Sequence, residues 1–274
     1  MVKMQKLKPE RNFRVDDNIT LQEVIRRYEQ KITVTGIAHG FDSIGKKVFV
    51  SLGNDIEAIL PFEEVSLEEL RYITKIPVQV KAILKKGTIR AKISKIEDDK
   101  IYLSRKANLL EALDTVKNNI GGFFRATVEN IDGHCVFCDI GEGVVAYCKI
   151  EEVTRIRIKD VRGWLEKGQK VKVKVTDYSE ESNLVWCSIK RGSFGDYSAF
   201  KRGMHVKARV GNAILGNDGN ITGFYVEITP AISGITDYNP MYYNGELPKY
   251  GDMVKCYIKN VDEYNHKMKL NLID

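Results

Sequence analysis

Lys47-Val48-Phe49-Val50-Ser51-Leu52 is a short strand that the chain writes twice more, as Val136-Phe137-Cys138-Asp139-Ile140 and Phe224-Tyr225-Val226-Glu227-Ile228. Aligned, these place Phe49, Phe137 and Tyr225 in register, 88 residues apart each time. A fixed period with one aromatic per copy is the signature of an array of small domains, because a single large core carries no reason to repeat.

Working outward, each copy continues in the same way. A turn and an apolar run ending in an acidic or polar stop follow the strand: Ala58 to Val65, Ala146 to Val153, and Gly234 to Tyr238. A long alternating strand and a closing strand come later: Arg90–Ile96 with Lys100–Lys106, Gln169–Asp177 with Asn183–Arg191, and Asp252–Val261 with His266–Leu272. Many short strands separated by turn residues, at about 70 residues per unit, define a small closed β-barrel with its alternate apolar residues turned inward. The expected fold class is all-β, three tandem five-stranded barrels with short linker helices. The organisation read from this is an N-terminal extension with a short helix (1–31), barrels at 32–105, 120–191 and 201–274, a linker helix at 106–119 and a linker at 192–200.

The chain has 274 residues and a formal charge of +6. The surplus of Lys and Arg over Asp and Glu is small in every unit: 12 against 10 in residues 32–105, 12 against 11 in 120–191, and 9 against 8 in 201–274. Such a balance permits a polyanionic partner where charge segregates onto one face. No apolar run reaches membrane-spanning length, and the start, Met1-Val2-Lys3-Met4-Gln5-Lys6, leads into charges. The expected compartment is the cytoplasm, with no membrane partner.

Four of the five cysteines fall in the middle unit, among them Cys135-x-x-Cys138 beside His134. Strand residues three apart point to opposite faces, so this pair does not converge. In the repeat alignment Cys138 stands opposite Val50 and Val226, Cys148 opposite Leu60 and Thr236, and Cys187 opposite Leu103 and Leu270. Buried free thiols are the favoured reading and zinc the alternative; no cofactor or metal is expected.

Helical signals lie between the barrels. Thr20-Leu21-Gln22-Glu23 has capping-box spacing, followed by Val24, Ile25 and Tyr28 at helical intervals. Ser104 to Lys117 repeats the pattern with Leu109, Leu110, Leu113 and Val116. Both are read as sealing barrel ends or setting interdomain angles, with partner docking the other reading of the first helix. The connector Gly192-Ser193-Phe194-Gly195-Asp196-Tyr197 is short and Gly-containing, which predicts bending between the last two units.

Together these residues carry a resemblance. Ile140-Gly141, Glu151-Glu152-Val153, the run Lys167-Gly168-Gln169-Lys170-Val171-Lys172-Val173-Lys174-Val175, and Ser188-Ile189-Lys190-Arg191 resemble the S-one (S1) domain, an RNA-binding OB-fold repeat. The first copy matches through Leu52-Gly53, Glu63-Glu64-Val65 and Leu103-Ser104-Arg105-Lys106. The third, with Val226-Glu227-Ile228-Thr229-Pro230, is similar to the divergent terminal repeat of short three-repeat proteins of that kind in low-GC Gram-positive bacteria. The resemblance runs from about residue 32 to the end. It implies single-stranded RNA (mRNA) held across one barrel face by aromatics and basic groups, a role in translation and, as a further partner, the small ribosomal subunit.

Carried over by residue, the second aromatic of the family strand falls on Phe49, Phe137 and Tyr225. The first falls on Lys46, His134 and Thr222, of which only His134 can stack. The histidine after the turn falls on Pro61, Lys149 and Asp237. The RNA-binding candidates are therefore His134, Phe137, Lys149, Arg155, Arg157, Lys190 and Arg191 in the middle unit, Lys46, Lys47 and Phe49 in the first, and Tyr225 in the third. Periodicity leaves open whether the three aromatics face outward or fill the barrels. Lys46, Lys47, Lys85, Lys86 and Arg90 read equally as solvated charges. Arg155, Arg157, Lys159 and Arg162 crowd into eight positions opposed only by Asp160, which favours an RNA-facing loop. Tyr242-Tyr243 is a loop pair able to stack, to fill the barrel mouth or to touch a protein.

Catalysis finds little support. Glu63-Glu64 and Glu151-Glu152 sit at matching positions of a shared turn, and adjacent strand residues aim apart. His39, His134, His205 and His266 lack metal-site spacing, and no phosphate loop or nucleophile motif occurs. Two function classes stand: a monomeric RNA-binding protein, and a protein-interaction scaffold for ribosomal or transcription machinery.

Overall fold

The computed structural model describes residues 7, 8, 15, 19–72, 76–238 and 246–273. Tyr242 and Tyr243 lie outside them, as does most of the N-terminal extension. The elements run α1 (Leu21–Glu29), β1 (Val34–Asp42), β2 (Lys47–Gly53), β3 (Ile56–Pro61), α2 (Val78–Lys86), β4 (Thr88–Glu97), β5 (Lys100–Ser104) and α3 (Arg105–Lys117). Then come β6 (Phe123–Ile131), β7 (Cys135–Gly141), β8 (Val144–Lys149), β9 (Lys170–Ser179), β10 (Leu184–Ser188) and α4 (Ile189–Gly192). The last strands are β11 (His205–Leu215), β12 (Ile221–Thr229), β13 (Ile232–Asp237), β14 (Met253–Asp262) and β15 (Lys267–Ile273).

Each set of five strands closes into a barrel with one topology: the first strand pairs with the second and fourth, and the third pairs in parallel with the fifth. These are three tandem OB folds. Closure leaves no free sheet edge, which is how so small a sheet protects its backbone hydrogen bonds. Period-two alternation supplies the cores. In β2, Val48, Val50 and Leu52 are buried; in β7, Val136, Cys138 and Ile140; in β12, Phe224 and Val226. The turn after β2 and β7 needs a residue at positive φ, which Gly53 (φ 99°) and Gly141 (φ 118°) supply without a Cβ penalty. An added Cβ on Gly141 would also lie 2.7 Å from the Leu7 backbone.

The helices depart from expectation in instructive ways. Thr20 caps α1 by accepting from the Glu23 amide at 3.3 Å, while the Glu23 carboxylate pairs with Arg26 and Arg27, both at 2.8 Å. Of its apolar residues only Val24 is buried; Leu21, Ile25 and Tyr28 are exposed. Ser104 caps α3 through the Ala107 amide at 2.9 Å, and Leu109, Leu113 and Val116 are buried whereas Leu110 is exposed. A further helix, α2, lies inside the first unit between β3 and β4. Pro77 stands at its head, and the buried Val80 and Ile83, three apart, fit one helical face. The two Glu-Glu pairs occupy single 3-10 turns, Phe62–Glu64 and Ile150–Glu152, rather than strands.

Two compact units emerge, residues 6–119 with 139–145 in one and residues 120–138 with 146–274 in the other. In the first, Lys86 pairs with the buried Asp139 at 3.4 Å and Arg90 with Glu142 at 2.5 Å. Asn108 donates to the Glu142 carboxylate at 3.2 Å and accepts from Thr33. Lys86 and Arg90 are therefore not solvated charges but largely buried cations with carboxylate partners; removing one member of such a pair strands the other and costs about 3–5 kcal/mol.

In the second unit, the segment after β8 docks the second barrel onto the third. Ile156, Ile158, Trp164 and Leu165 are buried. Trp164 donates from Nε1 to Glu227 at 3.2 Å, lies under the Arg209 guanidinium at 5.2 Å and packs on Tyr250. The Arg155 amide donates to the Pro230 carbonyl at 2.9 Å, and Asn212 donates to the Arg157 carbonyl at 3.0 Å. The connector is not slack. Tyr197 is buried in the third barrel's core, with its hydroxyl donating to the Ser233 carbonyl and accepting from the Ser233 amide, both at 3.1 Å, and Thr229 donates to the Phe194 carbonyl at 2.7 Å. A buried aromatic and its hydrogen bonds override the freedom that Gly192 and Gly195 suggest.

Four cysteines are buried core residues: Cys138, Cys148 and Cys187 in the middle barrel and Cys256 in the third. Hydrogen bonding with Cys138 and Cys148, together with burial, pushes the Cys187 thiol well above its ordinary range. Cys135, half-buried on the other face of β7, is raised to about 11, chiefly by burial. Among the described residues no cluster of three or more His, Cys, Asp or Glu is arranged to hold a metal.

Candidate nucleic-acid interface

The strand alternation that buries Val136 and Cys138 turns Phe137 outward. The same holds for Phe49 between Val48 and Val50, and for Tyr225 between Phe224 and Val226. None of the three fills a barrel. What each aromatic finds beside it depends on the next two strands of its sheet.

In the middle barrel the row is fully aromatic. Phe137 on β7 meets Tyr147 on β8 edge to face, with centroids 5.2 Å apart, and Tyr147 meets Trp186 on β10 at 5.9 Å. Tyr147 and Trp186 are register partners across the parallel seam. The Lys149 ammonium sits 4.9 Å from the Trp186 ring centre. All three rings are partly exposed and Lys149 is exposed, so the row presents π faces with a cation at one end. His134 is exposed just ahead of β7, its amide held by Asp132 at 3.0 Å.

The first barrel has Phe49, Ile59 and Tyr102 in the equivalent row, paired in register. Lys47 lies 5.6 Å from the Phe49 ring centre and Lys95 lies 4.5 Å from that of Tyr102. His39 stacks on Phe49 at 6.5 Å and pairs with Glu57 at 2.8 Å. Lys46 is exposed at a positive φ of 48° in the β1–β2 turn. In the third barrel the row is Tyr225, Ile235 and Lys269. Asp237, where the middle barrel has Lys149, pairs with Lys259 at 3.3 Å and Lys269 at 3.2 Å.

The remaining candidates surround the end of β10. Lys190 and Arg191 on α4 both reach Glu152, at 3.2 Å and 3.3 Å. Burial works against ionisation of Glu152, but hydrogen bonds from Ser188 and Lys190 and the nearby charges hold its carboxyl below the usual range. The Arg155 loop has two sides. Ile156 and Ile158 are buried, Ile156 against Gly211 of the third barrel, while Arg155, Arg157 and Lys159 alternate outward and stay exposed. The Arg155 guanidinium lies 5.7 Å from the Tyr197 ring centre.

Tyr147 and Trp186 are the members of the row that the strand repeat does not single out. A signal is present in the sequence: the repeat alignment puts Cys148 and Cys187 in the core, so their strand neighbours have to face out.

Residues 117–190 match the S1 RNA binding domain. Over 97% of this chain, the small ribosomal subunit protein bS1 of Neisseria meningitidis is 26% identical, the match covering 47% of that protein. The Helicobacter pylori bS1 is 22% identical over 95% of this chain and 47% of its own length. The chain thus spans about half the length of these curated relatives. Among solved structures, a multidomain protein with nucleic acid binding domains from Streptococcus pneumoniae aligns at 13% identity and a TM-score of 0.29, over 88% of this chain and 73% of that one. The middle barrel therefore matches the S1 RNA binding domain, and the chain along nearly its whole length is similar to bS1 proteins. No helix among the described residues is long and apolar enough to cross a membrane.

Proposed function

We propose that the chain binds single-stranded RNA on the outer face of its middle barrel and acts in translation, bringing messenger RNA to the small ribosomal subunit. The observation that carries this is the continuous row Phe137–Tyr147–Trp186 ending in Lys149. Every base has a π face, so a row of rings takes successive bases with little sequence preference at about 1–3 kcal/mol per stacked base. Lys149 then meets backbone phosphate, which makes binding fall as salt rises. The family match and the ribosomal names of the relatives support the assignment. The role is binding without chemistry on the RNA, by a monomer in the cytoplasm.

A scaffold reading attaches to the third barrel, where Tyr225 is the single ring of the row beside the exposed Ile235, and Asp237 engages both Lys259 and Lys269. The test is titration of the full chain with unstructured oligouridylate. Phe137→Ala should lose about 1–3 kcal/mol of affinity with circular dichroism unchanged, and Phe49→Ala and Tyr225→Ala should lose less. Absence of salt-sensitive binding by the parent would transfer the assignment to the scaffold. Ribosome co-sedimentation before and after nuclease treatment separates docking through RNA from docking through protein.

A further inference from the structure

Beside the aromatic row the second unit holds two adjoining hollows that share Arg191. The first, of about 340 Å³, opens next to Trp186 and is lined by Lys149, Glu152, Thr176, Asp177 and Arg191 among others. Its two cations face two carboxylates, so it carries no net charge and offers hydrogen-bonding groups to something uncharged, such as the edge of a base or a ribose. The second, of about 460 Å³, is lined by Arg155, Lys190, Arg191, Ser193, Gly195 and Ala231. Three of these six residues are cationic and none is acidic. Glu152, bonded to Lys190 and Arg191, supplies one countercharge from the neighbouring hollow, which leaves a surplus of positive charge with no carboxylate in the lining.

This cleft belongs to both barrels. Lys190 and Arg191 come from the end of the middle barrel, Ser193 and Gly195 from the connector and Ala231 from the β12–β13 turn. Its geometry is fixed from several sides. Gly192 lets α4 press on β9, where an added Cβ would come within 2.6 Å of the Val173 Cα. Gly195 would meet the Ala231 Cβ at 3.2 Å if it carried a side chain. Arg155 is held through its amide on Pro230 and by the Tyr197 ring. Guanidinium groups match phosphate oxygens with paired donors.

We infer that this cleft is a phosphate subsite for the same RNA strand: after stacking on the middle barrel, the strand runs past Trp186 and seats a backbone phosphate between Arg155, Lys190 and Arg191 at the junction with the third barrel. The inference rests on the proposed RNA site and adds its direction and length. It assigns Lys190 and Arg191 a role besides pairing with Glu152, and gives the third barrel a part in RNA binding that its own outward row does not provide.

The test compares two oligouridylates on the full chain. One has about four nucleotides, the low end of what one such barrel covers, and the other about twelve, near the upper end. Arg155→Gln with Lys190→Gln should weaken the longer strand roughly tenfold or more and lower its salt slope by about 0.7 for each phosphate no longer neutralised, while the short strand binds as before. In the unsubstituted chain, amide resonances of Ser193, Gly195 and Ala231 should move on adding the long strand and stay still with the short one, a readout that does not depend on the double variant folding. Equal losses for both lengths, or immobile resonances with the long strand, would overturn the cleft while leaving the aromatic site standing. Failure of the parent to bind either strand would remove the RNA reading itself.

Discussion

The middle and third barrels share a topology, a register and an outward aromatic at the same point of the second strand, yet they present opposite surfaces. At the three matched positions the middle barrel carries Phe137, Tyr147 and Trp186, the third Tyr225, Ile235 and Lys269. One step on, Lys149 stands against Asp237. The OB scaffold demands only that inward positions be apolar and suitably sized, which Cys138 and Val226 satisfy alike. Outward positions such as 137, 147 and 186 are not needed to fill the barrel and are free to diverge. Function in such an array therefore resides in a few side chains that the barrel does not need.

The strongest way to break the comparison is to write the third row onto the middle barrel. Tyr147→Ile with Trp186→Lys removes two rings from a partly exposed surface, so the barrel should stay folded while single-strand affinity drops by about 2–6 kcal/mol, the usual value for two stacked bases. Fluorescence titration measures the loss, and retained affinity would show that the row is not the binding surface.

A smaller effect should come from charge alone. Lys149→Asp copies the third barrel's Asp237 beside an intact aromatic row. Binding should weaken uniformly across sequences, and the plot of log affinity against log salt should flatten by about 0.7 for the one phosphate that Lys149 no longer neutralises. An unchanged slope would mean that Lys149 serves only to cover Trp186.

The smallest effect concerns the joint that holds the two barrels together. Glu227 is pushed above its ordinary value, first by burial, against the opposing hydrogen bonds of Thr154 and Trp164 and the charge of Arg209. A carboxyl whose folded pKa lies above its unfolded one binds protons more tightly when folded. Its contribution is thus most favourable below the unfolded value, near 4.5, and is lost as pH rises through the window up to the folded value. Glu227→Gln should remove that component, seen as a flatter pH dependence of the thermal midpoint over this window. The same slope in parent and variant would assign the dependence to other groups.

How much of this is legible in the sequence differs by level. The three-barrel fold follows from period-two alternation and the 88-residue repeat, since inward packing constrains every second residue of every strand. The outward placement of Phe49, Phe137 and Tyr225 is open at that level because a lone aromatic suits either face. The helix Val78–Lys86 escapes a reading by periodicity because its two valines alternate as in a strand. Lys86 and Arg90 read as surface charges because their partners, Asp139 and Glu142, lie about fifty residues away in sequence.

By itself, then, the amino-acid sequence determined the strand pattern, the number of barrels, the core cysteines and the one aromatic that recurs in each copy, all of them consequences of local periodicity. Only tertiary structure decided which rings stand together, because Phe137, Tyr147 and Trp186 come from three strands joined by pairing across the barrel. It also decided the fate of the basic loop. There Ile156 packs against the next barrel and Ile158 is buried while Arg155 and Arg157 stay in solvent, a division of labour set by what packs against the loop and not by its composition.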